Sequence, residues 1–216
     1  MACIVGDVAT VEVLLGFNPD ISVRETGGAT LLHAAASAGH VGIMQVLLDR
    51  GLNPNETDSM GDTPLHWIPS NGSAAAVRLL LDRGADMNAE NSMQYTPILL
   101  ATLRDNYVGV TTLLSAGARA DIDTASWGTP LEASCLGNFP RCTEALLSAG
   151  VTATSSWSPL DLCAQRDQPA TAEICLKYGL PVSLNFLLCC EVWIDCGVFC
   201  NKTGGWGCTC SRCRHG

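Results

Sequence analysis

The chain has 216 residues, of which 47% are hydrophobic and only 15% charged, a balance that excludes disorder as its general state. A net charge of −9 argues against DNA or RNA as the main partner. No apolar run reaches the roughly 18 residues that a membrane span requires, so no transmembrane segment is expected. The opening Met1-Ala-Cys-Ile-Val-Gly-Asp7 carries no basic leader, which points to an intracellular protein, cytoplasmic or nuclear.

The 12 cysteines divide the chain. Five of them (Cys3, Cys135, Cys142, Cys163 and Cys175) are scattered through residues 1–183, where acids outnumber bases 19 to nine. The other seven crowd into residues 184–216, beside two acids and three bases. Two regions follow, an array over 1–183 and a cysteine-rich tail over 184–216. The scattered thiols read as small buried hydrophobes of a reducing compartment.

In chain order, the first segment shows paired leucines at 14/15, and the pair recurs at 47/48, 80/81, 113/114 and 146/147. Thr30, Thr63, Thr96 and Thr129 keep the same step of 33, and so do Gly51, Gly84, Gly117 and Gly150. Around each Thr stands one phrase: Thr30-Leu-Leu-His33, Thr63-Pro-Leu-His66, Thr96-Pro-Ile-Leu99 and Thr129-Pro-Leu-Glu132. A fifth copy, Ser158-Pro-Leu-Asp161, arrives after 29 residues. Thr or Ser caps a helix, and Pro in its first turn loses no hydrogen bond. A second helix follows, with Leu on its inner face and a left-handed Gly at its end. In the first copy Asn18 stands for that Gly, and Pro140 and Pro169 open second helices, where proline is tolerated.

Gly61-Asp-Thr-Pro-Leu-His66, followed by Val77-Arg-Leu-Leu-Leu81-Asp-Arg-Gly84-Ala-Asp-Met-Asn88-Ala, resembles the ankyrin repeat. The resemblance covers residues 2 to about 182, as five repeats and an N-terminal remnant. It implies an all-α solenoid of helix-turn-helix repeats whose β-turn fingers project to one side.

Departures from the pattern are informative. The first repeat lacks its Thr-Pro-Leu-His opening, so Val8 to Leu15 loses much of the helix it should pack against. A frayed natural end and a longer array cut short both fit that departure. Pro69 falls inside the first helix of its repeat and should kink or shorten it, either as tolerated strain or as a reshaped wall for binding.

His33, His40 and His66 sit where the imidazole ties neighbouring turns together. No nucleophile elbow, phosphate loop or His-Glu-x-x-His is present, so no enzyme activity is expected. By the resemblance, contact positions flank each finger and end each first helix. These are Ser59, Met60, Asp62, Ser70 and Asn71, then Ser92, Met93, Tyr95, Leu103 and Arg104, then Ser126 and Leu136. Trp157 shares the column of Asp62 and Tyr95, and Trp127 replaces a finger glycine. Thioethers at finger tips, with Tyr, Trp and Arg nearby, suit an apolar protein partner; the alternative is that they fold back on their own fingers.

In the tail, Cys196, Cys200, Cys208, Cys210, Cys213 and His215 offer soft ligands for zinc, at spacings that match no common finger. Disulfides, or a tail without a site, are the alternatives. The repeats themselves imply no cofactor. The expected function is a non-catalytic scaffold that holds a segment of a partner protein through its concave face and finger tips. The second reading is a substrate-recruiting component of a ubiquitin-ligase complex, with the tail as a metal-bound or adaptor-docking element. Two Lys (Lys177 and Lys202) against ten Arg fit that reading, and GC-rich coding explains them equally well.

Overall fold

A computed structural model describes residues 7–152 and 158–181 of the chain. The cysteine-rich tail, with Cys196, Cys200, Cys208, Cys210, Cys213 and His215, lies outside the described residues, as does Trp157. Among the described residues there are α-helices, turns and two isolated β-bridges, and no strand.

The helices come in chain order as α1 (Val8–Gly16), α2 (Leu31–Ala38), α3 (Val41–Asp49), α4 (Ala74–Asp82) and α5 (Pro97–Leu103), then α6 (Tyr107–Ser115), α7 (Pro130–Gly137), α8 (Pro140–Ser148), α9 (Pro159–Gln165) and α10 (Pro169–Lys177). Two layers result. Second helices stack as α1, α3, α4, α6, α8 and α10, and first helices as α5, α7 and α9. One continuous apolar core runs between the layers from Val11 to Cys175, and this is the solenoid that the 33-residue step implies.

Threonine opens the repeats at 30, 63, 96 and 129, and in each its backbone or side chain bonds the residue three places on. The Thr30 amide donates to His33 Nδ1 at 3.1 Å, and the Thr63 amide to His66 Nδ1 at 3.0 Å. Since Nδ1 accepts, each Nε2 carries the proton. Those protons go to the next repeat: His33 Nε2 to the Asp62 carbonyl at 2.9 Å, and His66 Nε2 to the Tyr95 carbonyl at 3.0 Å. Both imidazoles are fully buried, and burial pushes their pKa below the ordinary 6.5. They act as neutral stitches between repeats, as their positions in the pattern imply. In the fourth phrase Glu132 takes this place, accepting from the Thr129 amide at 2.7 Å.

Pro69 has a larger effect than a kink. Residues 64–67 form only a turn, closed by the His66 amide on the Thr63 carbonyl at 2.9 Å, and no helix forms between 63 and 73. Proline has no amide to give to the carbonyl four residues back and its ring collides with it, while Ile68 is biased to extended backbone. Leu65 and Ile68 nevertheless remain buried. The next repeat holds the loop: Arg104 Nη1 donates to the His66 carbonyl, and also to the Ile68 carbonyl at 3.2 Å. Asn106 Nδ2 donates to the Pro69 carbonyl at 2.8 Å, while its Oδ1 caps α6 at the Gly109 amide. The His66 and Ile68 carbonyls, left without a helical donor, therefore find one a repeat away, and the Pro69 carbonyl takes Asn106 as a second donor beside the Gly72 amide.

At the N-terminal end, Val13, Leu14 and Phe17 of the first repeat are exposed, Phe17 to 81%.

Candidate protein-interaction surface

The fingers are built from short polar side chains that clamp their own backbone. In the second finger, Asp58 Oδ1 accepts from the Met60 amide at 2.8 Å and the Asp62 amide at 2.9 Å. In the third, Asn91 Oδ1 takes the Met93 and Tyr95 amides, both at 2.9 Å. These Asx clamps hold the intervening residue at the apex. Asn91 Nδ2 then reaches back to Asp62 Oδ1 at 2.7 Å, tying one finger to the other.

Backbone contact continues the stack. The Ser59 amide donates to the Gly27 carbonyl and the Ser92 amide to the Met60 carbonyl, each at 2.9 Å. Fingers this close leave no room for a side chain at Gly61, where a Cβ would stand 3.0 Å from the Ser92 amide nitrogen.

On this base the apex side chains face water. Met60 is 51% exposed and Met93 53%. Trp127, at the fourth finger, is 36% exposed. Tryptophan resists the left-handed backbone that Gly61 adopts in the same column. The left-handed position instead moves one residue on, to Gly128 at φ 68, and Thr124 and Gly128 exchange two backbone hydrogen bonds around the loop.

The remaining expected contact residues fall into two groups. Ser59, Ser70, Asn71, Ser92 and Ser126 are exposed, with Ser70 and Asn71 on the loop after Pro69. Asp62 is half-buried and occupied in finger-to-finger bonds. Tyr95 corrects the expectation of an exposed anchor: it is buried against Leu99 and Ala133, with Leu103 packed on the same small cluster. Its place beneath the finger is fixed because its carbonyl receives the His66 proton. Leu136 packs against the main core. Arg104 has an exposed edge, but its guanidinium is committed to the Pro69 loop, and partial burial lowers its pKa.

The sequence pattern gave no warning of two further arrangements. One is the brace of Arg104 and Asn106 on the neighbouring repeat; a polar residue at a helix start signals only its own cap. The other is the meeting of Cys135, Cys163 and Cys175, all fully buried, with sulfurs mutually within 4.8 Å. Only their positions on the inner faces of α7, α9 and α10 could have suggested it. No helix among the described residues is long and apolar enough to cross a membrane.

Comparison with known proteins agrees with this geometry. The family model described as ankyrin repeats (3 copies) matches residues 1–91 and 51–125. The crystal structure of the human ASB11 ankyrin repeat domain is similar, with a TM-score of 0.76 and 26% identity over 84% of this chain and 83% of that one. No match was found among curated protein sequences. Repeat spacing, histidine stitches, stacked fingers and both matches agree: the chain belongs to the ankyrin-repeat family, whose repeats are protein-interaction modules.

Proposed function

We propose that this chain is a non-catalytic scaffold that holds an apolar segment of a partner protein along its finger tips and the adjoining concave face, inside the cell. The observation that carries the reading is the exposure of Met60, Met93 and Trp127 at successive finger tips whose backbones are clamped from below. An unclamped tip would let a thioether fold back onto its own finger; the Asx clamps oppose this and keep the apolar atoms outward. Thioethers adapt to irregular apolar surfaces, and a rigid base lowers the entropy lost on binding. The acidic surface suits a partner with basic flanks. Ser59, Ser70, Asn71, Ser92 and Ser126 supply a polar rim. Tyr95 and Arg104 support the face from beneath.

The test is affinity capture with the full chain and with a Met60→Asp/Met93→Asp/Trp127→Ala variant, compared by mass spectrometry. Proteins enriched by the parent and lost with the variant, at unchanged helical circular dichroism, carry the reading. A partner set that ignores all three changes sinks it. Ubiquitin-ligase subunits among proteins retained by both would favour the second reading, recruitment of substrate to a ligase.

A further inference from the structure

Four of the buried cysteines find two different surroundings. Cys142 on α8 points its S–H at Asp105 Oδ1, 3.4 Å away, and burial, with that carboxylate second, pushes its pKa up to about 12. Cys135 on α7, Cys163 on α9 and Cys175 on α10 face one another instead. The Cys135 and Cys175 sulfurs are 3.9 Å apart, and the three lie within 4.8 Å of each other. No other group of three metal-ligating side chains meets in this way among the described residues.

No disulfide joins the three: the Cys135 and Cys175 sulfurs stand well beyond the roughly 2.05 Å of an S–S bond. Three thiolates around one metal at about 2.3 Å stand about 4 Å from one another when the set is planar. The Cys135–Cys175 separation matches that value.

The donor set also narrows the ion. Zinc in structural sites takes four ligands, and no fourth Cys, His, Asp or Glu among the described residues joins the three. All-sulfur sites select soft ions such as monovalent copper, which is satisfied by three. We propose that Cys135, Cys163 and Cys175 form a three-sulfur site for one cuprous ion, linking the last two described repeats through α7, α9 and α10. On binding, three S–H bonds break, three S–Cu bonds form and three protons leave to water. No electron moves, and copper stays monovalent. Because the ligands come from three helices, binding also clamps the fold there.

The seven cysteines from Cys189 onward would bind copper too, so the test uses the full chain with serine at those seven positions. Cuprous ion is titrated anaerobically against a chromophoric cuprous chelator. The expected result is uptake of one equivalent, three sulfur neighbours at about 2.3 Å by X-ray absorption, and a higher thermal midpoint. Cys163→Ala and Cys175→Ala should each lose the uptake, and Cys142→Ala should keep it. Uptake that survives both substitutions, an environment of fewer than three sulfurs, or retention of zinc against equimolar cuprous ion overturns the proposal. X-ray absorption on the seven-serine protein decides alone if the alanine variants fail to fold.

Discussion

The repeats opened by Thr63 and Thr96 start from nearly the same words, and only one builds its first helix. Thr96-Pro-Ile-Leu continues into α5, with the Leu99 amide on Thr96 Oγ1 at 3.4 Å. Thr63-Pro-Leu-His runs into Pro69 and yields a single turn. The core is almost undisturbed: Leu65 and Ile68 are nearly as buried as Ile98 and Leu99. In a linear array each repeat leans on its neighbours, so a defect in one can be repaired by side chains of the next. Arg104 and Asn106, from the intact repeat, make that repair.

The comparison breaks most completely at His66, which closes the cap of the helix-less repeat and stitches it to the intact one. Replacing His66 with Ala leaves the Thr63 amide without its partner, leaves the Tyr95 carbonyl with the Asn91 amide alone, and opens a cavity. It should cost about 3 kcal/mol in chemical denaturation. A loss below 1 kcal/mol would show that the turn is held by Leu65 and Ile68 alone.

Asn106→Ala removes the bond to the Pro69 carbonyl and the cap of α6 together, and should cost about 2 kcal/mol. A sharper form couples Arg104→Ala with Pro69→Ala. If Arg104 serves the loop that proline creates, its removal costs less once alanine lets the helix form, with a coupling of about 1 kcal/mol. Simple additivity would separate the brace from the proline.

Acid gives a graded effect. His33 and His66 are held neutral by burial, so their folded pKa lies below the 6.5 of the free side chain. Below that pH the unfolded chain binds more protons than the folded one, and stability falls as pH falls. Above it both states are neutral and the contribution is fully present. The thermal midpoint should hold from pH 8 to 7 and decline from about 6.5 downward. A flat midpoint to pH 5 would mean that the imidazoles are not stitches.

The smallest effect on stability belongs to the finger tips. Met60→Gln and Met93→Gln, singly, should shift stability by less than about 0.5 kcal/mol, because neither side chain is packed. A larger shift in a denaturation curve would place those thioethers in the fold rather than on its surface.

The array was legible because columns of Thr, Gly and paired Leu repeat in step, and each residue type has one local task. Asn18 shows the same economy: it takes the left-handed position at φ 50 where its repeat lacks Gly. Interactions between repeats were harder to read. Tyr95 stands in a contact column, yet an aromatic ring there gains more by covering Leu99 and Ala133 than by meeting water. Arg104 ends a first helix, where position alone suggests exposure, but its reach spans a repeat boundary. The sulfur cluster joins residues 40 apart, and Cys175 stands in the column that holds Leu47, Leu80, Leu113 and Leu146, so the pattern marks it only as a core position.

The slip of the left-handed turn from the Gly61 column to Gly128 bears on alignment. Met60 and Met93 are related by one exact step of the array, while Trp127 stands one residue out of phase with them. A perfectly periodic ridge looks the same after each translation, and an extended ligand with evenly spaced apolar groups can occupy it in several equivalent frames. The out-of-phase indole removes that degeneracy. A segment lying along the three tips has one frame in which all its apolar groups are met.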